Sequence, residues 1–105
     1  MELPGHYVEM SKRFKGFMRA VDNLGKAASA SGPLDEKSSH LIQIAAAAAV
    51  RSEGSVHSHT RRALKAGAKV EDIYHAIILL TSTIGFPAVS AALSWVDDVM
   101  RGQQG

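Results

Sequence analysis

The feature that most constrains the fold is the run LIQIAAAAAV, from Leu41 to Val50, in which Gln43 is the one polar residue. A helix that crosses a bilayer needs about 20 apolar residues, so this run predicts a buried helix and not a membrane span. Its apolar side chains point in nearly every direction, and its five consecutive alanines let neighbouring helices approach closely. We therefore predict a central helix over about 36–51.

Helical periodicity also marks the rest of the chain. Apolar residues recur every three or four positions in a first predicted helix over 7–30, at Met10, Phe14, Phe17, Val21, Leu24 and Ala28. Asp35 is placed to cap the central helix, and Gly67 to end the next one in a left-handed conformation. A fourth helix begins near Val70, and Gly85 and Pro87 separate it from a fifth. No strand alternation occurs, so we predict an all-α fold of about five helices.

Composition limits the classes of function. A chain of 105 residues suits one domain over 1–105 with loose tails, and an excess of 12 basic over 10 acidic residues does not indicate a nucleic-acid partner. Nothing after Met1 resembles a secretory signal, so a cytoplasmic location without membrane attachment is expected. The chain has no cysteine, which excludes disulfides, thiolate metal sites and thiol catalysis by this sequence.

The stretch SEGSVHSHTRRALKAG carries the candidate chemistry. Ser52, Ser55 and His59 are spaced i, i+3 and i+7, so they share one face of a helix that starts near Ser52. His57 lies about 200° around that helix from His59, which argues against one metal ion bound by both, and we expect no metal and no cofactor. Antiparallel packing of the preceding helix can bring His40 toward the same site, and Glu53 lies in the connection.

These motifs resemble those of the carboxymuconolactone decarboxylase and alkylhydroperoxidase D-like family. The resemblance spans roughly 14–99 and is carried by the runs LDEKSSHLIQIAAAAAV, SEGSVHSHTRRALKAGAKVEDIYHAIILL and IGFPAVSAAL. In the redox-active branch of that family the turn carries C-x-x-C and then a histidine after three further residues. The corresponding positions here are Ser52, Ser55 and His59.

The resemblance implies roles for these positions. In a thiol-bearing relative, position 55 would be the peroxidatic site, position 52 its resolving partner, His59 the proton shuttle, and Glu53 or His40 a secondary relay. A thiol at a helix start is acidified and reacts with peroxides or disulfides, as in peroxiredoxin-like antioxidant enzymes. A serine hydroxyl has no such redox chemistry, so this chain is predicted to be redox-inactive as written.

Three explanations for the serines remain open. In the first, deliberate substitution replaced the two cysteines of a thiol peroxidase or disulfide reductase. In the second, the chain is a natural member without thiols, like the decarboxylase branch. In the third, Ser52 or Ser55 simply caps the third helix. The matching functions are a redox-inactive relative of the thiol enzymes, a cofactor-free acid/base lyase that uses His59 or His40, and a non-catalytic binding or assembly module.

His59 has a purely structural alternative too, a half-buried histidine bonded to a backbone carbonyl. Arg61 and Arg62 are a solvated face or a clamp for a substrate carboxylate.

The apolar surface predicts assembly. The central helix and the segment IYHAIILL are apolar over more faces than a domain of this size can cover. The resemblance implies trimers, or hexamers built from dimers, with a small-molecule substrate or a redox partner protein. We therefore expect a homo-oligomer, most simply a hexamer, with core or interface contributions from Ile77, Ile78, Leu80, Ile84, Phe86 and Trp95.

Overall fold

The structure, a computed structural model, describes residues 5–104. The helices in this part of the chain confirm the predicted all-α class. No strand occurs in this part of the chain. The predicted loose tails fall in part on 1–4 and 105, outside the described residues. The helices are α1 (Gly5–Arg13), α2 (Lys15–Ser29), α3 (Glu36–Ala49), α4 (Glu53–Lys65), α5 (Val70–Ile78), α6 (Thr81–Ile84) and α7 (Phe86–Gln104).

The helices fall into two compact units, whose described parts are 5–33 and 34–104. We call the first the N-terminal hairpin and the second the bundle. In the hairpin, the prediction of one helix over 7–30 is wrong. The helix is interrupted between α1 and α2 at Phe14, whose backbone is not helical, with φ −130° and ψ 61°. The Tyr7 hydroxyl donates to the Asp22 carboxylate of α2 at 2.8 Å.

The hairpin has no buried residue in either helix. The apolar stripe of α2 and its N-cap residue is nevertheless regular, and these side chains remain 44–70% exposed: Phe14, Phe17, Val21 and Leu24. The periodicity thus predicted the helical face correctly. It did not predict what that face would cover.

The bundle is built around α3, which packs against α4, α5 and α7. Asp35 caps α3 as predicted, since its carboxylate accepts a hydrogen bond from the Ser38 backbone N–H at 2.7 Å. The core contains Ile44, Ala47, Ala48, Val56, Ala63, Ala68, Ile73, Ile77, Val89, Ala92 and Val96. The central helix is not buried all round, however, because Ile42 is 54% exposed.

The predicted helix ends are formed by glycines in left-handed conformation. After α4, Gly67 has φ 99°, its N–H donates to the Leu64 carbonyl, and the Ala68 N–H donates to the Ala63 carbonyl. This is a Schellman motif, which satisfies two carbonyls of the last turn. Gly85, with φ 90°, ends α6 just before α7 begins.

The residues predicted to form core or interface divide into three groups. Ile77 is fully buried in the core, and Leu80, Ile84 and Trp95 are partly buried against it. Ile78 and Phe86 are 50% and 65% exposed.

Within the described residues, no helix combines the length and hydropathy that a membrane crossing requires.

Candidate active site

The candidate site lies where α4 folds back against α3. The connection of three residues turns sharply at Arg51, whose φ of 58° is the one positive value outside glycine in the described chain. The Ser52 N–H donates to the Ala47 carbonyl at 2.9 Å, which closes the turn. This reversal places the middle of α4 beside the first half of α3.

Two histidines meet across that contact. The ring centroids of His40 on α3 and His59 on α4 lie 5.7 Å apart, with the ring planes tilted by 39°. The Nδ1 atom of each ring is buried and has no hydrogen-bond partner among the described residues. The His40 Nε2 atom lies 3.8 Å from a carboxylate oxygen of Glu36, one turn earlier in α3.

Burial keeps both rings in the neutral form. It lowers the pKa of His59 from 6.5 to about 4, and the positive charge of Arg62 and the neighbouring His40 act in the same direction. Burial also lowers the pKa of His40, with Glu36 opposing the shift and Arg62 adding to it. At neutral pH the pair is therefore mainly uncharged and each ring can accept a proton.

The two serines lie at the start of α4. Ser52 is the N-cap residue, but its hydroxyl makes no capping hydrogen bond, so the explanation of Ser52 as a side-chain cap is not supported. Ser52 and Ser55 are both half-buried, and Glu53 is exposed in the first turn. No hydrogen bond or ion pair joins these three to either histidine in the part of the chain that the structure describes.

The carboxylate beside the histidine pair comes from Glu36, which the sequence analysis did not select for the site. The signal was present, because Glu36 precedes His40 by four residues and such pairs are neighbours on a helix. Glu53, expected as a relay alongside His40, is the first residue of α4 and is exposed. Position along the chain is a weaker guide than helical spacing here, since Glu53 and Gly54 at the start of α4 face solvent.

His57 occupies the other side of α4, as the 200° rotation predicts. Its Nε2 atom lies 3.4 Å from the Asp98 carboxylate of α7, and Asp98 also pairs with Arg101. Among the described residues no group of three histidine, cysteine or acidic side chains is close enough to hold a metal ion. The histidines of the HSH string therefore belong to different environments.

Comparison with known proteins gives consistent results. The model of the carboxymuconolactone decarboxylase family matches residues 15–98. An uncharacterized protein of Methanocaldococcus jannaschii, MJ1511, is 28% identical over 102 residues, covering 96% of this chain and 95% of that protein. The crystal structure of apo-lpg0406, a carboxymuconolactone decarboxylase family protein from Legionella pneumophila, superposes with a TM-score of 0.78 at 23% identity, over 91% of this chain and 86% of that one.

Proposed function

Because the chain belongs to the carboxymuconolactone decarboxylase family, we propose that the His40–His59 pair is a cofactor-free acid/base centre that moves a proton on a small carboxylate-bearing molecule. The observation that carries the proposal is the pair itself. The ring centroids of two neutral imidazoles lie 5.7 Å apart, and each ring has a buried nitrogen that no described residue bonds. Unsatisfied buried nitrogens are rare in folded proteins and are typical of sites that bind or react.

The electrostatics of the site suit an anionic substrate. A histidine with a pKa of about 4 is a weak base in the free protein. A carboxylate bound beside the rings would stabilise the imidazolium form and raise the pKa of His59, so the base would strengthen when substrate is present. In this proposal Arg62, whose charge already acts on both rings, would hold such a carboxylate.

His40 has a separate role in this proposal. The Glu36 carboxylate, 3.8 Å from its Nε2 atom, stabilises a proton on His40. The proton that His59 removes from the substrate can be returned by His59 itself or, after transfer between the rings, by His40, and each ring then regains its neutral form. The substrate proton leaves as a ring nitrogen lone pair binds it, so this step requires no metal and no thiol.

Proton exchange in D2O tests the proposal directly. Small lactones and keto acids are incubated with the protein, and loss of the substrate C–H signal is followed by proton NMR. We expect His59→Gln to slow the exchange by about 10²–10⁴-fold, the usual contribution of a positioned base. His57→Gln is the matched control, because His57 lies on the other side of the same helix, and it should stay within about twofold of the parent.

Two outcomes would overturn the proposal. One is exchange at the parent rate in His59→Gln. The other is binding of the carboxylates without any enzyme-dependent exchange, which would favour the non-catalytic binding module.

A second candidate is a redox-inactive relative of the thiol peroxidases and disulfide reductases. It is favoured by the half-buried placement of Ser52 and Ser55 one turn apart at the start of α4, and by the Ser52 hydroxyl that makes no cap. The double substitution Ser52→Cys with Ser55→Cys is then expected to form a reversible intramolecular disulfide. It should also reduce hydroperoxides with a dithiol reductant, whereas the parent chain should not.

Thiol titration before and after mild oxidation measures the disulfide, and peroxide consumption measures turnover. Ser55→Cys alone is the control, because it has no resolving thiol. A double variant that keeps two free thiols after oxidation would contradict a redox ancestry. Peroxide turnover by the parent chain, which has no cysteine, would contradict it equally.

A further inference from the structure

The apolar stripe of the N-terminal hairpin is exposed along its whole length. Leu24 is 70% exposed and Phe17 is 62% exposed, and neither α1 nor α2 contains a buried residue. From Phe14 to Leu24 the stripe spans about 15 Å of helix. A contiguous apolar face of this kind is typical of a surface that binds a partner or a lipid layer.

The opposite face of α2 is basic. A helix turns by about 100° per residue, which places Arg19 and Lys26 about 180–200° from Phe17. Lys15 lies within about 40° of both basic residues. All three cations are exposed, and none of them forms an ion pair or hydrogen bond in the described part of the chain. The helix is therefore apolar on one side and cationic on the other.

A further cation stands at the edge of the stripe. The Cζ atom of Arg13 lies 5.2 Å from the centre of the Phe14 ring. A long basic side chain beside apolar surface covers that surface with its stem and keeps its charge at the boundary with water. This arrangement suits the boundary between acyl chains and headgroups.

The net charge of the described chain is confined to the hairpin. Residues 5–33 contain five basic and two acidic residues, whereas 34–104 contain seven of each. A second copy would bring the same positive excess, which disfavours contact between two hairpins, whereas an anionic surface attracts it.

The geometry of the two faces favours lipid over an acidic protein. A protein surface that contacts the basic face would leave the apolar stripe exposed, because the stripe lies on the other side of the helix. A helix is about 10 Å across and an interfacial helix lies about 5–10 Å deep, so its apolar face meets acyl chains while its basic face stays among the headgroups.

We propose that the N-terminal hairpin binds the anionic surface of a membrane, with the apolar stripe at the level of the acyl chains and the basic face of α2 among the headgroups. The expectation of no membrane attachment came from the absence of a secretory signal, which a helix that lies on a surface does not require. This inference does not depend on the chemistry proposed for the histidine pair.

Co-sedimentation of the full chain with lipid vesicles tests the proposal. Vesicles of phosphatidylcholine with about one-third phosphatidylserine should bind the parent at least about tenfold more tightly than vesicles of phosphatidylcholine alone, because each basic residue adds to the attraction. Binding should weaken when the salt concentration is raised from about 0.1 to about 0.5 M, since salt screens that attraction.

A pair of variants with the same change of charge separates the apolar contact from electrostatics. Phe17→Asp should weaken binding to the anionic vesicles at least about thirtyfold, because it removes a large apolar group and adds a negative charge. Asn23→Asp adds the same charge at an exposed position on the polar face and should weaken binding about fivefold or less. Both positions are exposed, so neither variant should unfold the chain, and circular dichroism checks this.

A second pair tests the basic face. Lys15→Gln with Lys26→Gln should weaken binding at least about fivefold. Lys65→Gln with Lys69→Gln removes two exposed lysines of the bundle and should leave binding within about twofold of the parent.

The proposal is overturned if the parent binds neither kind of vesicle or binds both equally. It fails equally if the two variants with added aspartate weaken binding alike, or if the two lysine pairs do. Sedimentation velocity without vesicles distinguishes the remaining occupant. Phe17→Asp is expected to keep the mass of the parent, and a lower mass would show that a second copy covers the stripe and would overturn the proposal.

Discussion

The N-terminal hairpin and the bundle are both made of helices with apolar stripes, yet the structure buries residues in one of them alone. Every fully buried residue of the described chain lies in the bundle, from Ile44 to Val99. The hairpin has none, although α2 has the most regular stripe of the chain. A stripe therefore shows which face of a helix is apolar, but burial requires surrounding helices. In the bundle α3 has three such neighbours.

The largest expected effect comes from matched truncations in the two units. Ile73→Ala removes a side chain with no exposed surface and should lower the free energy of unfolding by about 2–5 kcal/mol. Phe17→Ala removes a larger side chain that is 62% exposed, and the expected change is within about 0.5 kcal/mol. Urea denaturation followed by circular dichroism measures both. A loss at Phe17 as large as that at Ile73 would break the comparison and show that another surface covers the stripe.

A smaller effect on the free energy of unfolding is expected from a change of pH, because His59 of the bundle titrates differently in the folded and unfolded chain. The pKa of His59 is about 4 in the folded protein and near 6.5 when unfolded, so between these values the unfolded chain binds the extra proton. The free energy of unfolding should therefore keep its full value above pH 6.5 and decrease as the pH drops toward 4. Because the ring is only half-buried, solvent screening keeps this loss below that of the core truncation.

Urea midpoints at pH 4, 5, 6 and 7 measure this dependence. His59→Gln should reduce the slope in that window, and the slope that remains is expected from His40, whose pKa is also lowered by burial, whereas His57→Gln should retain the full slope. The lowered pKa values of Asp35 and Asp72, which start from 3.8, act at more acidic pH and do not overlap with it. An unchanged slope in His59→Gln would show that the ring is solvated in both states.

The smallest effect sharpens the comparison at the helix starts. Asp35 accepts a hydrogen bond from the Ser38 N–H at the start of α3, whereas α2 begins at Phe14 without a side-chain cap. Asp35→Ala should lower the melting temperature by about 4–8 °C, and Asp35→Asn should recover most of it, because asparagine is also a good cap. Equal melting temperatures for Asp35→Ala and the parent would mean that packing alone determines where α3 starts.

Several features could be predicted from residues that act locally. Asp35 as a cap and Gly67 as a left-handed helix end depend on a few adjacent residues, and both predictions are confirmed. The break at Phe14 was missed because no proline or glycine stands at that position. The separation of α5 from α6 near Leu79 was missed for the same reason, since no proline or glycine stands in IYHAIILL.

The histidines of α4 show the boundary between what the sequence and the fold each decide. The sequence by itself determined that the region is helical and that His57 and His59 face opposite ways, because a two-residue step rotates a helix by about 200°. It also determined that no thiol chemistry is available, since the chain has no cysteine. Only the tertiary structure decided that His59 lies 5.7 Å from His40 with a pKa of about 4, because burial and neighbouring charges depend on how α3 packs against α4.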